Sequence, residues 1–226
     1  MRLGGRGGRG EDPQLVADVA GLLAFAWRQP GPVFAQGVAD GAWAAELTEL
    51  LRTLVGKRLD VAEYRAAAAV LGKWASGKDS GQIEEELAAE YAALYQGPDS
   101  PLVAFYECQW LDDKNAMLFS APSTQLVEQA YRTAGLEIAS REPADSFVAE
   151  LEFVRHLASE QSSQAESGSK PLADRAATMR RAFVRDHLDR WLEDFCGATQ
   201  GATECAGYAA LSRITVAVNK AGLLAG

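Results

Sequence analysis

The chain has 226 residues and a formal net charge of -9, and 48% of its residues are hydrophobic. This length and composition suffice for a buried core in one large domain or two small ones. The acidic charge argues against a nucleic-acid-binding protein, which needs a basic surface to meet phosphates. The sequence has no run of 18 apolar residues, so no segment is predicted to enter a membrane.

The N-terminal residues 1–12 are rich in glycine and arginine, and we expect them to form a disordered tail because they have little to bury. The apolar run at residues 15–27 follows these arginines as in a secretory signal, but acidic residues interrupt that charge pattern. Asp12 and Pro13 instead suit the N-cap and the first position of a helix. The folded domain is therefore expected to cover residues 13–224.

Apolar residues recur at helical spacing through most of this domain. The predicted helices cover residues 13–28, 41–55, 61–74, 81–95, 123–134, 143–159, 171–196 and 201–224. Residues 160–170 are polar and are predicted to form a linker, which is a candidate hinge. The alternation typical of strands is missing from the sequence, so we predict an all-α fold, a single-domain bundle of about eight helices.

Residues 98–121 differ from the rest, because prolines frame a stretch that has four aromatic residues and no sustained period. Long loops in compact domains are usually functional or disordered, and aromatic residues argue against disorder. We predict a long ordered loop that contains one short helix.

A second distinctive stretch is Glu142-Pro-Ala-Asp145-Ser146, which runs directly into an apolar helix. Proline suits the first helical position, and acidic side chains suit the first turn, where they face the positive end of the helix dipole. These preferences predict a helix that begins at Pro143. They also explain both acids as helix-capping groups without any binding role.

Several segments occur in an order that is more informative than any one of them. Residues 90–98 read Glu-Tyr-Ala-Ala-Leu-Tyr-Gln-Gly-Pro, and residues 105–112 read Phe-Tyr-Glu-Cys-Gln-Trp-Leu-Asp. Glu-Leu-Glu-Phe at 150–153 follows the acidic stretch, and a Phe, His-Leu, Trp, Phe pattern lies between residues 183 and 195. Together these segments resemble the sequence elements of the TorD/DmsD/NarJ family of redox-enzyme maturation chaperones.

The resemblance implies an all-helical cytoplasmic chaperone that is not an enzyme and has no cofactor of its own. Its partner would be the catalytic subunit of a molybdopterin oxidoreductase. Some family members bind the twin-arginine signal peptide of that subunit and delay export until the cofactor is inserted, whereas NarJ-like members bind the terminus of a subunit that stays inside. Both possibilities stay open, and the family also implies either a monomer or a domain-swapped homodimer.

Two positions depart from the family pattern. Ser146 replaces the histidine of the EPxDH signature, so the titratable ring is lost while a hydrogen-bonding group is kept. Phe105 replaces a proline of the aromatic loop. Both changes affect the region where the family resemblance places client binding.

The predicted peptide-binding site combines carboxylates for cationic groups with an aromatic groove for an apolar segment. Arginine pairs with carboxylate through parallel N–H bonds, and aromatic anchors carry much of the energy of peptide interfaces. The site residues are Tyr91, Leu94, Tyr95, Phe105, Tyr106, Trp110, Glu142, Asp145 and Ser146. For the first three, helical spacing is equally typical of core packing.

A metal-dependent enzyme is the alternative from a different class. Asp112, Asp113 and Asp145 offer oxygen ligands that would suit magnesium, although the sequence shows no nucleophile paired with a base and no phosphate loop. The three cysteines form no CxxC pair, which is typical of a protein in a reducing cytosol.

Overall fold

The computed structural model describes residues 12–55, 61–97, 101–113, 117–137 and 142–226. Of the tail predicted at residues 1–12, residues 1–11 lie outside these ranges. Within them the chain forms α-helices and one 3-10 turn, and no strand is present. The helices are α1 (Pro13–Trp27), α2 (Pro32–Ala39), α3 (Ala42–Val55), α4 (Val61–Ala75), α5 (Ser80–Tyr95), α6 (Cys108–Leu111), α7 (Pro122–Thr133), α8 (Phe147–Glu166), α9 (Lys170–Asp186), α10 (Leu192–Ala202) and α11 (Ala206–Lys220). The all-α prediction is confirmed.

Local chemistry explains where the helices begin and end. Asp12 accepts a hydrogen bond from the backbone N–H of Gln14 at 3.0 Å and places Pro13 in the first turn of α1, as predicted. Asp79 and Gln82 form a reciprocal capping box at the start of α5. Gly135 has φ of 82°, the left-handed conformation that ends α7 at little cost for glycine.

The structure has more helices than the eight predicted. Helix α2 is two turns long and buries Phe34, Ala35 and Val38, a pattern too short to give a clear helical period. The predicted helix at 171–196 is interrupted at His187, where φ of -123° and ψ of -87° lead into the 3-10 turn Leu188–Arg190. Helix α11 starts at Ala206, because residues 201–202 complete α10.

Two predicted boundaries were wrong. Helix α8 begins at Phe147 with Ser146 as its N-cap, so Pro143 lies outside the helix. The polar stretch at 160–170 is helical up to Glu166, and the chain turns through residues 167–169 with Gly168 at φ of 79°. Polar side chains are compatible with the exposed end of a long helix, and that is why composition alone misplaced the linker.

The core is built around Trp27, whose side chain is fully buried. Its ring lies between 5.1 and 6.5 Å, centroid to centroid, from four aromatic rings. These belong to Tyr95 on α5, Phe147 on α8, Phe195 on α10 and Tyr208 on α11. The end of α5 and the start of α8, which carry the predicted site, are thus held by the same aromatic cluster.

Helices α1, α8 and α9 form a central layer, because α8 packs along both of its neighbours. Helix α4 packs along α11 in a second tight pair. None of the helices in the described ranges combines the length and the apolar character needed to cross a bilayer.

Candidate functional site

The structure brings the two motif-bearing stretches together. The backbone N–H of Glu107 donates to the carbonyl of Asp145 at 2.9 Å, and the N–H of Phe147 donates to the carbonyl of Phe105 at 3.1 Å. Tyr106 and Ser146 form an isolated antiparallel bridge between the same stretches. The aromatic loop and the start of α8 are therefore joined as neighbouring extended segments, although they are 40 residues apart in the chain.

Most of the predicted groove residues are buried in this arrangement. Tyr91, Leu94, Tyr95 and Phe105 are each 9% exposed or less. The Tyr95 ring packs 4.9 Å from Phe105, and its hydroxyl lies 3.0 Å from Thr199 Oγ1. In this structure these side chains belong to the hydrophobic core, as expected if their helical spacing reflects core packing. Their part in client binding stays a prediction.

Asp145 is fully buried, and its carboxylate takes part in an internal hydrogen bond. Its Oδ2 accepts a hydrogen bond from the backbone N–H of Cys108 at 2.9 Å, at the first residue of α6. Burial and the Asp145 carboxylate raise the pKa of the Cys108 thiol to about 12. Ser146 is 5% exposed, and its hydroxyl accepts the N–H of Ala149 at 3.3 Å. Both residues thus stabilise the start of a helix from below the surface.

Three residues of the predicted site reach the solvent, and we refer to Tyr106, Trp110 and Glu142 as the Trp110 surface. Glu142 is exposed, and the two aromatic side chains are half-buried. The indole N–H of Trp110 donates to the carbonyl of Ala104 at 3.1 Å, which fixes the ring against the loop. Burial raises the pKa of Tyr106, and the nearby Glu142 carboxylate raises it further.

A buried acidic network supports this surface from beneath, and sequence reasoning did not single it out. Glu107 is 1% exposed, and its Oε2 lies 2.9 Å from Nδ1 of His187. Glu150 is fully buried, and its Oε2 accepts the indole N–H of Trp191 at 3.2 Å. The network therefore connects the aromatic loop, α8 and the residues that flank the 3-10 turn.

Burial, followed by the charge and hydrogen bonding of Glu107, raises the pKa of Glu150 well above its usual range. The surroundings of Glu150 therefore favour its protonated form. The sequence did contain a signal for this network, since Glu150 occupies an inward position of an apolar helix. A glutamate at such a position needs a buried polar partner.

Two of the three carboxylates of the metal alternative, Asp112 and Asp145, have other roles in the structure. Asp112 accepts hydrogen bonds from the backbone N–H and the hydroxyl of Ser123 at 2.8 and 3.0 Å, at the start of α7. Asp145 is bound to Cys108, as described above. In the part of the chain that the structure describes, no three His, Cys, Asp or Glu side chains are grouped so that they could hold a metal ion.

Comparison with known protein families gives a match. The model described as nitrate reductase delta subunit matches residues 57–197, which is more than half of the chain and includes every predicted site residue. No curated protein matches the chain. The motif order, the all-α fold and this match agree, and the protein belongs to the nitrate reductase delta subunit family, within the TorD/NarJ-like chaperones of redox-enzyme maturation.

Proposed function

We propose that this protein is a cytoplasmic chaperone that binds the catalytic subunit of a molybdopterin oxidoreductase while that subunit is incomplete, and so assists cofactor insertion. Family membership supports this kind of partner. The observation that carries the proposal is the junction of residues 105–107 with 145–147, because it turns two distant motifs into one supported surface.

The Trp110 surface is suited to an apolar segment with a cationic group. Tyr106 and Trp110 offer half-buried aromatic faces, and Glu142 offers an exposed carboxylate near Tyr106. Aromatic anchors in a rigid frame bind with little loss of side-chain entropy. The backbone junction and the buried acidic network supply that rigid frame.

Between the two client types, we favour a terminal segment of a catalytic subunit that stays inside the cell. A twin-arginine signal needs carboxylates for two guanidinium groups, and Asp145 is buried against the Cys108 N–H rather than presented to solvent. The match to the family described as nitrate reductase delta subunit also supports a client that stays inside the cell. Binding of an exported subunit through its twin-arginine signal, which would prevent premature export, is the second candidate.

The test is titration of the purified protein with the N-terminal peptide of a molybdopterin oxidoreductase catalytic subunit from the same organism. Trp110→Ala is expected to weaken binding by about 30-fold, since an aromatic hot spot contributes about 2 kcal/mol. Glu142→Gln should weaken binding of a peptide with a cationic residue. Glu166→Gln is the matched control, because Glu166 lies at the other end of α8, about 30 Å along the helix from Phe147. This variant should bind the peptide as tightly as the wild type.

Failure of the wild-type protein to bind either the peptide or the incomplete subunit would contradict the proposal. Where the client peptide carries paired arginines, replacing both with glutamine separates the two client types. A loss of binding that depends on both arginines would favour the signal-peptide candidate, and unchanged binding would favour the terminal-segment candidate.

A further inference from the structure

His187 is the member of the buried network that lies closest to solvent. It is 8% exposed, whereas Glu107, Glu150 and Trp191 are each 1% exposed or less. Its ring stacks on Phe183 with the ring centroids 4.6 Å apart, and it lines a surface depression of about 680 Å³ between α7 and α9. The buried network therefore meets solvent at His187.

The geometry of the His187 ring assigns its hydrogens. Nδ1 lies 2.9 Å from one carboxylate oxygen of Glu107 and 3.1 Å from the other. A ring nitrogen that faces two acceptor oxygens carries a hydrogen, so the second proton of an imidazolium adds at Nε2. Protonation at Nε2 turns the contact with Glu107 into a charge-assisted hydrogen bond, which is about twice as strong as a neutral one. Histidine is also the residue whose charge ordinarily changes between pH 5 and pH 8.

Glu107 connects this contact to Trp110. Its backbone carbonyl accepts the N–H of Trp110 at 2.9 Å, and its own N–H donates to the carbonyl of Asp145 at 2.9 Å. Its side chain is the part that His187 holds. Three groups of one residue thus fix the short helix α6, which carries Trp110, to the start of α8 and to the end of α9. The position of the Trp110 ring therefore depends on Glu107 staying in place.

Other titratable groups surround Glu107 on the buried side. They are Cys108 on α6, Tyr131 on α7, Glu150 on α8 and Asp145 just before α8. Burial is the main cause that raises the pKa of the Cys108 thiol, the Tyr131 hydroxyl and the Glu150 carboxyl, so these three groups favour their neutral forms. The imidazolium form of His187 is placed to balance the negative charge of the Glu107 carboxylate among them.

Two charged residues accompany His187 on the solvent side. Asp186 and Arg190 line the same depression, and the Asp186 carboxylate pairs with Arg185 at 2.6 Å. The hydrogen bond from Arg185 lowers the pKa of Asp186, and the charges of His187 and Arg190 lower it further. Asp186 favours the imidazolium and Arg190 opposes it, so these two charges act in opposite directions. The contact with Glu107 is the one that carries a change of charge on His187 into the buried network.

We propose that His187 is a positioning residue that regulates the Trp110 surface, because its imidazolium form holds Glu107 and α6 in place for the client and its neutral form loosens them. The inference rests on the proposed function and specifies how that site is regulated. Client affinity should fall about fivefold between pH 6 and pH 8, at the low end of typical couplings between sites. By the same linkage, a bound client should help His187 to keep its proton.

Fluorine NMR of the full chain labelled with 5-fluorotryptophan tests the positioning without a client. Trp110→Phe assigns the Trp110 resonance among those of the five tryptophans. This resonance should shift between pH 6 and pH 8 in the wild type and in His156→Gln, which replaces the other histidine of the chain. It should not shift in His187→Gln, whose amide can donate to Glu107 but cannot gain a charge. A Trp110 resonance that ignores pH, or that shifts equally in His187→Gln, would overturn the inference.

Peptide binding at pH 6 and pH 8 is the functional readout, with the N-terminal peptide of the catalytic subunit named above. The wild type, His156→Gln and Glu150→Gln should each lose about fivefold in affinity at the higher pH. His187→Gln and Glu107→Gln should bind equally at both values, whereas ionisation of the peptide itself would affect every variant alike. Thermal melts at both pH values establish that each variant is folded.

The outcomes separate this inference from the proposed function. Wild-type binding that is equal at both pH values, or a pH dependence that persists in His187→Gln, would overturn the regulation by His187. If Trp110→Ala still loses binding in the same titration, the proposed function is left intact. Absence of binding by the wild type at either pH would overturn both.

Discussion

Glu150 is a fully buried carboxyl group whose environment favours the protonated form. Burial is the larger cause of its raised pKa, and the Glu107 carboxylate adds to it. A folded-state pKa above the unfolded value means that the stabilisation is present below the unfolded pKa and is lost as pH rises toward the folded value. The free energy of unfolding should therefore fall as pH rises above about 4.5.

Glutamine at this position imitates the protonated acid, because its carbonyl can accept from Trp191 and its amide can donate to Glu107. We expect Glu150→Gln to remove a pH dependence of up to about 1.4 kcal/mol per unit and to be more stable than wild type at pH 8. Urea unfolding at pH 5.5 and pH 8 measures this difference.

Glu166→Gln, at the exposed end of the same helix, is the control and should leave the pH dependence unchanged. Glu150→Ala should lose about 2 kcal/mol, since it leaves the Trp191 indole unpaired in the core. Equal pH slopes in wild type and Glu150→Gln would show that Glu150 is ionised in the folded protein.

At the scale of elements, a tight contact between α4 and α11 depends on a glycine. A Cβ atom added at Gly207 would lie 3.0 Å from Cζ3 of Trp74. Gly197 in α10 is also helical, but a Cβ atom there would meet nothing within 4 Å. The two positions therefore separate the effect of helix propensity from the effect of packing.

We expect Gly207→Ala to lower the free energy of unfolding by about 1–2 kcal/mol, because the Trp74 ring must move and the α4–α11 contact must open. Gly197→Ala should raise it by about 0.5–1 kcal/mol, because alanine loses less backbone entropy in a helix. Both are measured by chemical denaturation. Stabilisation by both substitutions would show that the Trp74 ring can move aside without lowering the free energy of unfolding.

At the scale of the whole molecule, Trp27 joins four helices to α1 through its ring contacts and is also hydrogen-bonded. Its indole N–H donates to Thr215 Oγ1 on α11 at 2.9 Å. Trp27→Ala is expected to cost about 3–5 kcal/mol, because it opens a large cavity and leaves the Thr215 hydroxyl without this donor.

Trp74→Ala is the comparison for Trp27→Ala, since Trp74 is only partly buried and holds Lys78 over its ring at 4.2 Å. The Trp74→Ala substitution should lower the free energy of unfolding clearly less than Trp27→Ala in the same urea titration. Equal losses would mean that the aromatic cluster around Trp27 does not dominate stability.

The oligomeric state stays a prediction. In a domain-swapped homodimer, the turn at residues 167–169 is where the exchange of helices between protomers would need its hinge.

Particular residues show how far sequence reasoning reaches. Asp12 and Pro13 marked the start of α1 correctly, because capping acts over a few neighbouring residues. Pro143 gave the same local signal and was wrong, because residues 145–147 pair with the aromatic loop and delay the helix to Phe147. Helical spacing predicted one continuous helix through His187. In the structure the helix is interrupted at His187, and the His187 ring contacts Glu107.

The amino-acid sequence by itself determined the all-α class, most helix positions and the family resemblance, since hydrophobic period, caps and motif order are local properties. Tertiary structure alone decided which motif residues face solvent. It buried Tyr95 and Asp145, left Trp110 and Glu142 accessible, and assembled Glu107, Glu150 and His187 into one network. The physical reason is that burial depends on contacts between residues distant in the chain, whereas periodicity assigns a side chain to a face without saying what covers it.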